Sequence, residues 1–189
     1  MLPLGTPAPD FLLLNPVNNK YESLSQLKSP TATVIMFISN HCPFVKLIKN
    51  KLSDIAALYQ NTQNTNIKFI AINSNDIENY PEDSPEKMAE DSQLFSYSFP
   101  YLFDETQEVA RAYQAACTPD FYIFDKDLLC VYRGQFDNSR PGNGISPTGE
   151  DLTQALDSII QNLEVSKDQK PSLGCNIKWK AKTFANSPC

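Results

Sequence analysis

The sequence predicts an α/β domain with a central mixed sheet flanked by helices, followed by a C-terminal tail. Three observations point there. Residues 33–38 and 67–72 are β-prone, largely apolar runs of the kind found in central strands covered on both faces. Between them, Val45, Ile48, Leu52, Ile55 and Tyr59 recur at steps of three and four, which places them on one stripe of a helix. Further on, residues 121–124 and 128–133 flank Asp125-Lys126-Asp127, the pattern of an antiparallel hairpin.

Taken in order, residues 11–14 form a short first strand and residues 33–38 the central one. A helix opens at Pro43, because proline's fixed φ and missing N–H suit the first helical position. Residues 67–72 give the next buried strand. Ser84-Pro85 opens another helix, with Ser84 as N-cap, running to about Phe95. Asp104-Glu105-Thr106-Gln107 has capping-box spacing ahead of a short helix through Tyr113. After the hairpin, Thr148 caps a last helix with Leu152, Ala155, Leu156, Ile159 and Leu163 on one face. A parallel β-α-β unit feeding a terminal β-β-α is the winding of a thioredoxin-like fold. Residues 134–149 are a long loop rich in Gly, Pro, Asn and Ser, a length that tends to be functional or mobile. The domain is expected to span residues 1–163. Residues 164–189 form a polar, lysine-rich tail whose Cys175, Ile177, Trp179 and Phe184 are expected to dock on it.

The 189-residue chain is long enough for one domain with a well-buried core. Its net charge of −6 argues against nucleic acid as a main partner. No stretch approaches the ~20 apolar residues of a membrane helix. The first residues show no basic segment followed by an apolar one, so a cytoplasmic location is expected. The five cysteines are widely spaced with no Cys-x-x-Cys pair, and His41 is the sole histidine. Neither a disulfide scaffold nor a zinc site is expected, and no bound cofactor is needed. The acidic stretch 76–83 lacks the glycine and spacing of an EF-hand and reads as a solvated loop.

Cys42, in Ser39-Asn40-His41-Cys42-Pro43, is the candidate for chemistry. It follows a buried strand and precedes a helix N-terminus, the edge where sites form in open α/β sheets. The first helical turn offers free N–H groups and about half a positive charge, and both favour a thiolate. Such a setting can lower a thiol pKa from ~8.5 to anywhere between ~3.5 and 7.5. The Ser39 hydroxyl is expected to reach the sulfur and donate to it. His41 either supplies positive charge or is simply exposed.

Ser39-Asn40-His41-Cys42-Pro43-Phe44-Val45 resembles the active-site segment of a peroxiredoxin-like branch of the thioredoxin superfamily, the AhpC/TSA or redoxin group. The likeness continues in residues 5–11, 99–107, 116–121, 132–137 and 174–179, in the same order along the chain. It implies a thioredoxin-like fold, an antioxidant or thiol-exchange role and a redox-active Cys42. It also implies a substrate face formed by His41, Pro43, Thr118 and Pro119, with Pro119 in the position of the cis-proline that faces the cysteine. Two departures narrow it. Ser39 replaces the first cysteine of the branch's usual Cys-x-x-Cys, which excludes dithiol exchange within that motif. Peroxiredoxins place a threonine or serine three residues before the cysteine, matched by Ser39, and an arginine across the site. That arginine position falls at Pro119, and Arg133 and Arg140 are the arginines that remain to approach from another direction.

A lone thiol oxidised to a sulfenic acid needs a partner to reduce it. Cys117, two residues before Pro119, either pairs with Cys42 or packs under its loop. Cys175 either folds back over the site, as resolving cysteines in C-terminal tails do, or anchors the tail. Cys130 is expected in the core and Cys189 at a mobile end. Asp137, Arg140 and Asn143 either shape a substrate pocket or pair at the surface. The expected function is a thiol-dependent oxidoreductase of peroxiredoxin-like type. It would act on a small oxidant or a protein disulfide, with electrons from a reducing thiol system. The competing expectation is a redox-inactive protein that binds an extended peptide at the cis-proline groove.

Overall fold

A computed structural model describes residues 2–62 and 66–181. The elements in chain order are β1 (Leu12–Asn15), β2 (Lys20–Ser23), α1 (Leu24–Leu27), β3 (Ala32–Phe37), α2 (Pro43–Asn61), β4 (Ile67–Asn73), α3 (Pro85–Leu94), β5 (Tyr101–Phe103), α4 (Glu108–Ala112), β6 (Cys117–Thr118), β7 (Asp120–Asp125), β8 (Cys130–Gly134), α5 (Glu150–Ile160) and β9 (Cys175–Asn176). A single 3-10 turn, Pro81–Asp83, precedes α3. Seven strands form one sheet in the order β2-β1-β5-β4-β3-β7-β8, and β6 pairs with β9 as a separate ribbon. β3 runs parallel to β4 and antiparallel to β7, so the sheet is mixed.

The buried side chains divide by strand alternation. Val34 and Met36 of β3 face α2, α3 and α5, where Val45, Leu52, Met88, Leu152 and Leu156 complete one core. Ile35 and Phe37 face the other way, onto Val109, Ala110 and Tyr113 of and beside α4. Every residue of β3 is buried, as an apolar run without alternation requires. Truncating a side chain as enclosed as Leu52 should cost about 2–5 kcal/mol.

The strands and most helices anticipated from periodicity are present within a residue or two, and β2, α1, β5, β6 and β9 are added to them; the last helix instead stops at Ile160, three residues short of Leu163, which is exposed. Two caps differ from expectation. The N-cap of α4 is Gln107 in the left-handed region, while the Asp104 carboxylate reaches past it to the N–H groups of Val109 and Ala110. The N-cap of α5 is Gly149, with Thr148 Oγ1 accepting the Glu150 N–H at 3.3 Å. Asp137 accepts the Thr148 and Gly149 N–H groups, each at 2.7 Å, and so ties the long loop to the start of α5.

Candidate thiol site

β3 delivers the chain through Ile38-Ser39-Asn40-His41 to Cys42, the N-cap of α2, and Pro43 opens the helix. The Thr118–Pro119 peptide bond is cis and faces this turn. Cys42 is fully enclosed, at 0 % exposure, and its Sγ–H donates to the Thr118 carbonyl at 3.1 Å. Burial pushes the thiol up. Donors around the sulfur outweigh that and leave it below its ordinary value: the Thr118 side chain, the Cys175 thiol, and the backbone N–H groups of Val45 and Cys175. The Val45 N–H points at the sulfur from the first turn of α2 without closing a full capping bond. The Thr118 carbonyl favours the thiol and these donors favour the thiolate; the net effect lowers the thiol's pKa.

Ser39 is buried, and its hydroxyl accepts the Cys42 backbone N–H at 3.2 Å. This corrects the expectation that Ser39 donates to the sulfur: its bond shapes the turn, because the hydroxyl lies on the main-chain side of Cys42. A longer 3.4 Å contact runs from Ser39 Oγ to His41 Nδ1. His41 turns away to Asp83, with Nδ1 2.6 Å from a carboxylate oxygen, and its ring stacks on Tyr80 at 5.1 Å between centroids. Nδ1 therefore carries a hydrogen. Asp83 also accepts the Asn40 N–H at 2.6 Å and the Asn75 amide at 2.7 Å. The acidic stretch is thus not a uniformly solvated loop: Glu78 and Glu82 are exposed, but Asp76 and Asp83 are buried. Asp83 is enclosed because it is the acceptor for the turn that carries the thiol.

The tail reaches the site from the other side. β9 pairs antiparallel with β6, setting Cys175 opposite Thr118 and Asn176 opposite Cys117. The approach is close: a Cβ on Gly174 would lie 2.0 Å from the Thr118 carbonyl oxygen, so only glycine fits there. Ser172 donates to Asp120 at 2.5 Å and the Ile177 N–H to the Ala116 carbonyl at 3.1 Å. Beyond β9, the Lys178 N–H donates to Asn75 Oδ1, and its carbonyl accepts from the Asp76 N–H and the Gln107 amide, all at 2.8 Å. Ile177 is buried in the core beside α4, while Trp179 stays partly exposed with Arg111 4.3 Å over its ring. Burial and the neighbouring Cys42 push the Cys175 thiol up to about 11.

Cys117 lies on β6 one residue from Thr118, so its side chain leaves the opposite face of the ribbon and meets the Pro119 carbonyl at 3.8 Å. Burial first, then the charge of Asp120, pushes it up to about 12. Cys130 is buried on β8; Cys189 and Phe184 lie outside the described residues. Neither Arg133 nor Arg140 is among the groups bonded to Cys42. Arg133 donates to the Leu2 carbonyl, and Arg140 to the carbonyls of Asp137 and Ser139. The crevice between Arg140, Phe44, Ile48, Phe136 and Pro119 measures only ≈ 10 Å³, so the long loop packs against the site and opens no substrate pocket there. Asn143 is exposed and bonds within the loop. Among the described residues, no group of three or more His, Cys, Asp or Glu side chains is placed to hold a metal ion, and no helix is long and apolar enough to cross a membrane.

A mixed sheet with a cis-proline facing a helix-start cysteine defines a redoxin-type protein of the thioredoxin superfamily. The chain belongs to the AhpC/TSA family, whose pattern matches residues 4–133. It is similar over 95% of its length to an uncharacterized conserved protein from Geobacillus kaustophilus, at 57% identity and TM-score 0.92 over 94% of that chain. It is also similar to a hypothetical protein from Sinorhizobium meliloti, at 44% identity and TM-score 0.91, with 96% of this chain and 97% of that one covered. A secreted disulfide oxidoreductase from Mycobacterium tuberculosis shares the fold, at 16% identity and TM-score 0.57 over 81% of this chain and 96% of that one. The comparison with curated proteins finds no match.

Proposed function

We propose that the protein is a thiol oxidoreductase in which Cys42 is the nucleophile and Cys175 the resolving thiol. The observation that carries this is the β6–β9 pairing, which sets Cys175 among the donors to the Cys42 sulfur. The Cys42 thiolate attacks an oxygen of a small hydroperoxide, whose other oxygen leaves as an alcohol or water after taking up a proton. Cys42 becomes a sulfenic acid. The Cys175 sulfur then attacks it, releasing water and forming a Cys42–Cys175 disulfide. Two external thiols reduce that disulfide and leave as their own disulfide. Enclosure of Cys42 beneath residues 174 and 175 favours a small oxidant over a folded protein disulfide. A reducing cytoplasm, with its pools of small and protein thiols, suits this cycle. The chain's own tail occupies the β6 edge, which disfavours an open peptide groove there.

Peptide mass spectrometry after one equivalent of hydrogen peroxide tests the assignment. A Cys42–Cys175 bridge is expected. A Cys42–Cys117 bridge would reassign the resolving thiol, and sulfinic acid at Cys42 with no bridge would overturn the resolving step.

A further inference from the structure

Asp83 has no part in the chemistry just described, yet it lies at the meeting point of the segments that carry both thiols. Its side chain is 0 % exposed, so its charge has no water to satisfy it. Three donors do so instead. The Asn40 N–H and His41 Nδ1, both at 2.6 Å, belong to the turn that ends at Cys42. The Asn75 amide, at 2.7 Å, belongs to the segment after β4. Asn75 in turn accepts the Lys178 N–H at 2.8 Å, three residues beyond Cys175. The 3-10 turn holding Asp83 is itself fixed to the Cys42 turn, because the Asn40 amide donates to the Glu82 carbonyl at 2.9 Å. Tyr80, at the start of that turn, stacks on His41 and lies under the Lys178 ammonium, 5.4 Å from its ring centre.

We infer that Asp83 is a positioning residue of the thiol pair: it fixes the Cys42 turn directly and, through Asn75, the tail that brings Cys175 to it. The inference rests on the Cys42–Cys175 reading above. A carboxylate suits the task because its two oxygens accept from all three donors at once. An amide in its place would turn an N–H group toward one of them. Without that acceptor the two cysteine-bearing segments lose their common anchor. The effective concentration of one thiol at the other should then fall, since even small misplacements are costly in reactions between held groups.

The test uses the full chain as Asp83→Asn, with Leu156→Ala on α5 as a control that loosens the same core beside Asp157, which Tyr59 bonds near the far end of α2 from Cys42. Each protein is equilibrated with reduced and oxidised glutathione, where the Cys42–Cys175 disulfide plus two glutathione thiols exchanges with the two protein thiols plus glutathione disulfide. Asp83→Asn is expected to lower the effective concentration of the pair at least tenfold and to move the pH midpoint of Cys42 alkylation upward. Leu156→Ala should lower the melting temperature and leave both readouts within twofold of wild type. Asn75→Ala, which cuts the link to the tail alone, should lower the effective concentration at least threefold and serves if Asp83→Asn does not fold. If either site variant loses thermal stability but keeps wild-type values for both readouts, as the control does, Asp83 is structural only and the inference is overturned. If wild type itself forms no Cys42–Cys175 disulfide, the underlying redox reading fails instead.

Discussion

Cys42 and Cys117 sit on opposite sides of the Thr118–Pro119 bond, and both are buried, at 0 % and 9 % exposure. Burial alone pushes any thiol up, and at Cys117 it does, to about 12 with help from the charge of Asp120. At Cys42 the same penalty is overcome. The difference lies in what faces each sulfur. Cys42 stands at a helix start where N–H groups point out of the chain, and the tail adds another N–H and a thiol. Cys117 stands on the two-strand ribbon opposite Asn176, with the Pro119 carbonyl rather than a donor as its sulfur's neighbour. Donors aimed at the sulfur separate the lowered thiol from the raised one here, and enclosure does not.

The largest test of this contrast is Cys42→Ser, which should reduce peroxide consumption to background in a thiol-coupled assay. Cys175→Ala comes next. It removes the thiol donor, so the Cys42 alkylation midpoint should rise toward ~8.5, and peroxide should carry Cys42 on to sulfinic acid in the mass spectrum. Gly174→Ala forces a methyl against the Thr118 carbonyl. It should lift β9, cost about 1–3 kcal/mol in denaturant unfolding, and speed Cys42 alkylation severalfold.

Asp120→Asn sharpens the Cys117 side. Burial raises the Asp120 carboxyl to about 6, against the opposing bonds from Ser172 and Tyr122. A carboxyl raised in the folded state contributes stability that is complete below its unfolded pKa and is lost as pH rises through the folded one. Wild type should therefore lose about 3 kcal/mol from this group between roughly pH 4 and pH 6. The variant should lack that loss in pH-dependent unfolding, and its Cys117 should titrate lower. The smallest effect belongs to Cys117→Ala, which should change the Cys42 alkylation rate by less than twofold.

Much of this was legible in the chain. The runs 33–38 and 67–72, the stripe through Val45 and Leu52, and the Cys-Pro step predict β3, β4, α2 and the helix-start thiol, because each depends on local periodicity and proline geometry. The ribbon was not legible. β6 and β9 are two residues each and exist only because Cys117–Thr118 and Cys175–Asn176 meet across more than fifty residues of chain. No local pattern marks such a pair; the apolar and cysteine residues of the polar tail, Cys175, Ile177 and Trp179, pointed only to docking. Asp83 was hidden for a related reason. A carboxylate among Glu78, Glu82 and Asp76 looks solvated, and only the fold brings Asn40, His41 and Asn75 around it. Ser39 was assigned to the sulfur when it bonds the backbone, since sequence spacing does not say which side of a turn a hydroxyl takes.

The most direct test is to alkylate wild-type protein across pH and follow Cys42 and Cys117 in the same sample by peptide mass spectrometry. The account predicts a Cys42 midpoint below the ordinary thiol value of ~8.5 and a Cys117 midpoint well above it. A Cys42 midpoint at or above ~8.5, or the two cysteines titrating together, would contradict it.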